Sequence, residues 1–200
     1  DIFVKNDKIC HGENTIIDVD KLSLKGIHNL ENTLFMVATA EILKIDKEKL
    51  KEFLMIATPL EHRTELFFNY GKLKFINDSK ATNVDSTKFA IQANKNSILI
   101  CGGYDKGVDL APLEENIKEV YLIGVIADKI ESELKKIGYE DSRIHKLVNI
   151  ENSLQDMKKR FTKDSDEVIL LSPATSSYDQ FNSFEHRGKV FKELVLKIFG

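Results

Sequence analysis

The chain has 200 residues, enough for one large domain or two modest ones. Its apolar fraction of 42% and charged fraction of 30% suit a folded globular chain and exclude a disordered one. Net charge is −3; residues 1–58 carry 8 basic and 10 acidic side chains and residues 59–200 carry 21 and 22, so no basic arm favours nucleic acid or an anionic membrane.

The longest run without a charged residue or His is Val168–Tyr178, eleven residues, against the roughly 20 that a spanning helix needs. The first residues show no basic-then-apolar signal pattern. Cys10 and Cys101 stand alone, with no CxxC spacing, and read as two buried free thiols of a reducing compartment. The chain opens at Asp1 on strand-like residues, as a piece of a longer protein would.

In chain order, Ile2–Cys10 and Thr15–Leu24 read as two or three strands about a turn at residues 11–14. From Asn29 the period becomes helical, with Leu30, Leu34, Val37 and Ala38 on one stripe. Asp46 is the expected N-cap of a second helix, Lys47–Ile56, which Thr58-Pro59 stops. That break is the expected domain boundary, 1–58 and 59–200, and a hinge near Ala57–Leu60. Glu65–Tyr70 and Leu73–Asn77 form a hairpin around Gly71. Helices are then expected at Ser86–Ala93, Leu110–Ile117, Ile130–Ile137, Ile150–Phe161 and from about Arg187 to Ile198. They alternate with strands Ser97–Cys101, Val120–Ile123, Ile144–Leu147 and Val168–Leu171. Short strands, apolar on both faces and joined through helices, imply a parallel sheet covered on both sides. The last helix reads as a packing element.

Ligands of such sheets collect beyond the carboxyl ends of the strands. There Gly102-Gly103-Tyr104-Asp105-Lys106-Gly107 offers free amides and a cation, and is otherwise an ordinary turn. Ser172-Pro173-Ala174-Thr175-Ser176-Ser177 offers four hydroxyls before a helix, and is otherwise a capping loop. Together the two loops suit a small molecule with two carboxylates. Asn77–Asn83 reads as a polar strand–helix loop. His11, His145 and His186 show no metal-ligand spacing, and no metal site is expected in this chain.

Five segments in order resemble the Mur ligases, and among them the D-glutamate-adding members. They are Gly26–Asn32, Leu60–Arg63, Ile76–Asn83, Gly102–Gly107, and Leu171–Ala174 continuing through Ser177–Phe181 to Phe184–Gly188. The Asn-Pro pair of the diamino-acid-adding sibling is missing, and Glu61 stands where a proline is frequent in the family. The resemblance implies an α/β chain: the C-terminal part of a central ATPase domain, 1–58, then a Rossmann-like, mostly parallel domain, 59–200, that binds the incoming amino acid. It implies a cytoplasmic enzyme, monomeric when full length, acting on ATP, D-glutamate and UDP-N-acetylmuramoyl-L-alanine through an acyl phosphate, with magnesium. Asn29 and Asn32 would contact the adenine side of ATP. Arg63 and Lys80 would oppose its phosphates and Asp78 would bond the ribose. Thr82, Lys106, Ser177 and the backbone of Phe184 would hold D-glutamate. The only Gly-Lys pairs precede Leu73 and Val190, not Ser or Thr, so the phosphate loop and magnesium ligands are expected upstream, and this chain is expected to be inactive alone. Two other readings stay open: a superfamily ligase for another amino acid, such as a folylpolyglutamate synthase, and a non-catalytic nucleotide- or amino-acid-binding module.

Overall fold

The computed structural model describes residues 1–58, 60–107 and 116–200. The chain divides into two compact units, Asp1–Pro59 and Leu60–Gly200.

In the first unit β1 (Ile2–Lys5), β2 (Lys8–His11) and β3 (Asn14–Asp18) form an antiparallel meander. Asn6 and Asp7, at φ 50° and 56°, make the two-residue turn between β1 and β2, which the sequence reading passed over. Two helices follow, α1 (Ile27–Ile42) and α2 (Lys47–Ile56). The Asp46 carboxylate accepts from the Lys49 amide and caps α2 as expected. Ile9 and Ile17 from the sheet, Val37 from α1, and Leu50 and Leu54 from α2 form the core. Cys10 is buried with a free thiol.

The second unit is a six-stranded sheet in the order β4-β5-β9-β6-β7-β8. The hairpin β4 (Glu65–Tyr70) and β5 (Leu73–Asn77) is antiparallel and has the expected bounds. β5, β9 (Val168–Leu171), β6 (Ser97–Gly102), β7 (Ile117–Ile123) and β8 (Ile144–Lys146) are parallel. The period-2 alternation of these strands assigns their side chains to two cores. Leu99, Cys101, Val120 and Leu170 pack with α3 (Val84–Ala93) and α4 (Ala127–Lys136) on one face. Ile98, Ile100, Tyr121 and Ile169 pack with α5 (Ile150–Arg160) and α6 (Phe184–Phe199) on the other. Both faces are therefore buried, as the uninterrupted apolar strands required.

Several boundaries differ from the sequence reading: β3 ends at Asp18, where a 3-10 turn Val19–Lys21 replaces the strand expected to Leu24, and α4 opens at Ala127 and not Ile130. Ile117, expected to end a helix, opens β7: it pairs with Ser97 and is buried in the core. The rest of that expected helix, from Leu110, falls largely on residues 108–115, outside the described residues. α6 starts at Phe184 and not near Arg187, because the Ser183 hydroxyl accepts from the His186 amide and caps the helix one turn earlier. Among the described residues no helix is long and apolar enough to cross a membrane.

Candidate functional site

β9 lies between β5 and β6, so the loops leaving the carboxyl ends of these three strands meet at one edge of the sheet. These are residues 78–83, 103–107 and 172–183. The Asp78 amide donates to the Leu171 carbonyl (2.8 Å) and Gly102 to Pro173 (2.9 Å), so the strand ends are tied to one another. Tyr104 donates to the Ser176 carbonyl (3.0 Å), and its own carbonyl accepts from the Thr175 hydroxyl. Gly103, at φ 140°, is needed here: a Cβ would stand 2.5 Å from the Ser176 carbonyl oxygen. Ala174 carries the strain of φ 63° in the same loop cluster.

Lys106 reaches across this cluster. Its ammonium donates to the Thr82 carbonyl at 2.7 Å, joining the loop after β6 to the loop after β5. Ser177 is buried in the loop after β9, and Phe184 opens α6. Beside them a cavity of about 630 Å³ is lined by Leu60, Arg63, Lys80, Phe184, His186 and Lys189, among others. The Lys80 ammonium sits 4.1 Å from the centre of the Phe184 ring, a cation–π contact that keeps the charge at the cavity wall. Three cations in this lining, Arg63, Lys80 and Lys189, stand against two carboxylates, Glu61 and Glu185, a small positive excess that favours an anion.

Asp78 faces inward. It is 5% exposed; Oδ1 accepts from the Thr64 amide (3.0 Å) and hydroxyl (3.3 Å), and Oδ2 from the Ser172 hydroxyl (2.7 Å). Burial pushes its carboxyl up to about 6, opposed by those Ser172 and Thr64 donors. Asn29 and Asn32 lie on α1 of the first unit, where the Asn29 side-chain amide donates to the Lys25 carbonyl (2.8 Å) and Asn32 is exposed.

Residues that the sequence reading left without a role build the floor. Arg187, 1% exposed, donates from Nε to the Ser79 hydroxyl (2.9 Å), from Nη2 to the Ser79 carbonyl (2.9 Å) and from Nη1 to the Thr175 carbonyl (3.1 Å). Burial draws this guanidinium down to about 10, with Asp179 opposing the fall. The signal was present: Arg187, Phe191 and Val195 share one stripe of α6, so the arginine had to point inward. His62 is buried against the Asn77 amide (2.8 Å), with Gly188 leaving the space its ring fills; a Cβ there would collide with Nδ1.

A magnesium site does not fit these residues. Among the described residues one cluster has ligand spacing, Glu61, His62 and Glu65. The Lys192 ammonium already contacts both of its carboxylates, at 3.0 and 2.7 Å, and magnesium prefers an all-oxygen octahedron.

No family model matches the chain. Over its whole length it is 91% identical to 47% of a UDP-N-acetylmuramoylalanine–D-glutamate ligase of Fusobacterium nucleatum. Over 98% of its length it is 38% identical to 44% of the ligase of that name from Koribacter versatilis. The chain thus spans about half the length of the curated relatives it matches. Among solved structures, the bifunctional folylpolyglutamate synthase/dihydrofolate synthase of Yersinia pestis superposes with a TM-score of 0.65 at 17% identity, over 96% of this chain and 45% of that one. A structure of that enzyme complexed with AMPPNP and manganese gives 0.55 at 16%, over 80% and 37%. At such identities the superposition speaks for the fold alone, mixed α/β with a mostly parallel six-stranded sheet. By sequence the chain belongs to the Mur ligases, and its match is to the C-terminal part of members named for D-glutamate.

Proposed function

We propose that this chain is the amino-acid-receiving part, with the end of the ATPase part, of a ligase that joins D-glutamate to UDP-N-acetylmuramoyl-L-alanine and converts ATP to ADP and phosphate. The observation that carries this reading is the Lys106–Thr82 contact, which places a cation between two strand-end loops, the hydroxyl-rich third being bonded to the same segment through Tyr104. The names of the relatives supply the substrate.

In the proposed reaction the alanyl carboxylate takes the terminal phosphoryl group of ATP. The amine nitrogen of D-glutamate then attacks the acyl carbon, the bond from that carbon to the phosphate oxygen breaks, and the nitrogen loses a proton. This chain's share is to bind and orient. Lys106 pairs with one carboxylate of the amino acid. Ser177, Thr82 and the backbone of Phe184, at the start of α6, take the other, leaving the amine aimed outward. Arg63 and Lys80 oppose phosphate charge from the cavity wall. Asp78 gives three acceptor positions to Thr64 and Ser172, so a ribose contact rests on the one position its carboxylate retains. Asn29 and Asn32 are assigned to the adenine side on the family pattern. Magnesium is assigned to residues outside this chain. The whole enzyme is proposed to work as a monomer in the cytoplasm.

The test is phosphate release by the ligase carrying this sequence, supplied with ATP and the UDP-sugar alanine substrate. Turnover with D-glutamate at least a hundredfold above that with L-glutamate supports the proposal. Turnover only with L-glutamate on a folate acceptor points to the polyglutamate-adding rival and overturns it.

A further inference from the structure

Ser79 lies where three segments of the site converge, and its amide, carbonyl and hydroxyl are all hydrogen-bonded there. The residue is fully buried. Its amide donates to the Asn77 side-chain oxygen (3.2 Å), its carbonyl accepts from Arg187 Nη2, and its hydroxyl bonds both Arg187 Nε (2.9 Å) and the Phe184 carbonyl (2.8 Å). The direction of that last pair is set by chemistry. A guanidinium can only donate and a carbonyl can only accept, so the single hydroxyl proton must point at Phe184 while a lone pair receives Arg187.

Arg187 extends the chain of bonds to the Thr175 carbonyl at 3.1 Å. The turn after β5, the loop after β9 and the first turn of α6 are therefore locked through one hydroxyl and one guanidinium. Those segments carry Lys80 and Thr82, then Ser177, then Phe184. The three Arg187 bonds are buried and the Ser79–Phe184 bond is partly buried, where a polar group left without its partner is costly and a satisfied network holds one geometry.

We propose that Ser79 is a positioning residue for the incoming amino acid: its hydroxyl, held by Arg187, fixes the start of α6 against the turn that bears Thr82. Ser79 touches neither substrate and acts through Phe184. This inference rests on the amino-acid-binding reading above. Of the nucleotide-facing groups, Arg63 has no bond to Ser79 or Phe184, and Lys80, whose amide is held separately by the His62 carbonyl (3.0 Å), shares only the cation–π contact with the Phe184 ring, so the larger effect falls on the amino acid.

The experiment is steady-state kinetics of the ligase carrying this sequence with Ser79→Ala and, in parallel, Ser79→Cys, whose thiol is larger than the hydroxyl, leaves no cavity and is a weak donor. In either folded variant the apparent constant for D-glutamate is expected to rise about tenfold, the scale of one lost hydrogen bond, while that for ATP stays within about twofold. A merely structural role would lower kcat through a smaller active fraction and leave both constants unchanged; that result, or an equal rise for ATP, overturns the proposal. Amide exchange over residues 184–187, read without any substrate, tests the anchor separately. Faster exchange in Ser79→Ala is expected, and unchanged exchange overturns it. Wild-type enzyme that does not respond to D-glutamate at all refutes the functional reading, and the exchange result then still decides whether the anchor exists.

Discussion

Replacing Asp78 with Asn removes a buried charge while keeping the shape of its side chain. In the folded chain the carboxyl is lifted from 3.8 to about 6, chiefly by burial. Between those two values the folded chain holds a proton that the unfolded chain has released, so stability falls as pH rises through that window. Above about 6 the full cost is present, and the difference corresponds to about 3 kcal/mol against the folded state. The side-chain oxygen of the introduced asparagine can still accept from the Thr64 amide, but its NH2 group now donates to Ser172, whose proton must turn to Thr87, 3.1 Å away. Rearranging those bonds costs about 1 kcal/mol. Asp78→Asn is therefore expected to stabilise the chain by about 1–2 kcal/mol at about pH 8 and to be neutral or destabilising at about pH 4, where little of the charge cost is present. Urea unfolding followed by far-ultraviolet circular dichroism at both pH values reads this directly. An equal loss of stability at the two pH values would refute the reasoning, because the carboxyl would then titrate alike in the folded and unfolded chains, and a larger loss at the higher pH would make the ionised carboxylate a net stabiliser through its donors.

Lys106→Ala in the ligase carrying this sequence removes one charge-assisted contact and is expected to raise the apparent constant for D-glutamate by one to two decades, about 1.5–3 kcal/mol, with ATP little affected; weakened ATP binding with an unchanged D-glutamate dependence would mean the loop serves the other substrate. Gly103→Ala forces a methyl group against the Ser176 carbonyl at a φ that side chains rarely adopt, and should cost about 3 kcal/mol or more in urea unfolding; a loss under about 1 kcal/mol would show that the loop is free to move away. The Cys101 thiol is fully buried and burial pushes it up to about 12, so its reaction with a disulfide reagent should be slow and follow the unfolding of the second unit. Fast modification of Cys101 in the native chain would show that the centre of the sheet opens readily.

Much of the fold could be read because local signals agreed with one another. The bounds of α2 follow from a capping carboxylate at Asp46 and a proline stop, and those of β4 and β5 from the turn at Gly71. β7 and α6 were misjudged at their starts, where the deciding interaction is distant for Ile117, paired to Ser97, and hidden in the cap for Ser183. The loops of the site were legible as strand-end segments, and the structure does bring Lys106 to Thr82 and Lys80 to Phe184. Side-chain direction was not legible. An Asp-Ser-Lys triplet reads as three polar residues, yet Asp78 and Ser79 turn into the protein and Lys80 turns out. Only the long-range partners, Ser172 for Asp78 and Arg187 for Ser79, distinguish them.

The central claim is that the three loops beyond β5, β6 and β9 form the seat of the incoming amino acid. A crystal structure of the ligase carrying this sequence with D-glutamate bound tests it most directly. One carboxylate is expected within hydrogen-bonding distance of Lys106 Nζ, and the other among Thr82, Ser177 and the backbone of Phe184. D-glutamate seated away from these loops, with Lys106 still bonded to the Thr82 carbonyl, would contradict it.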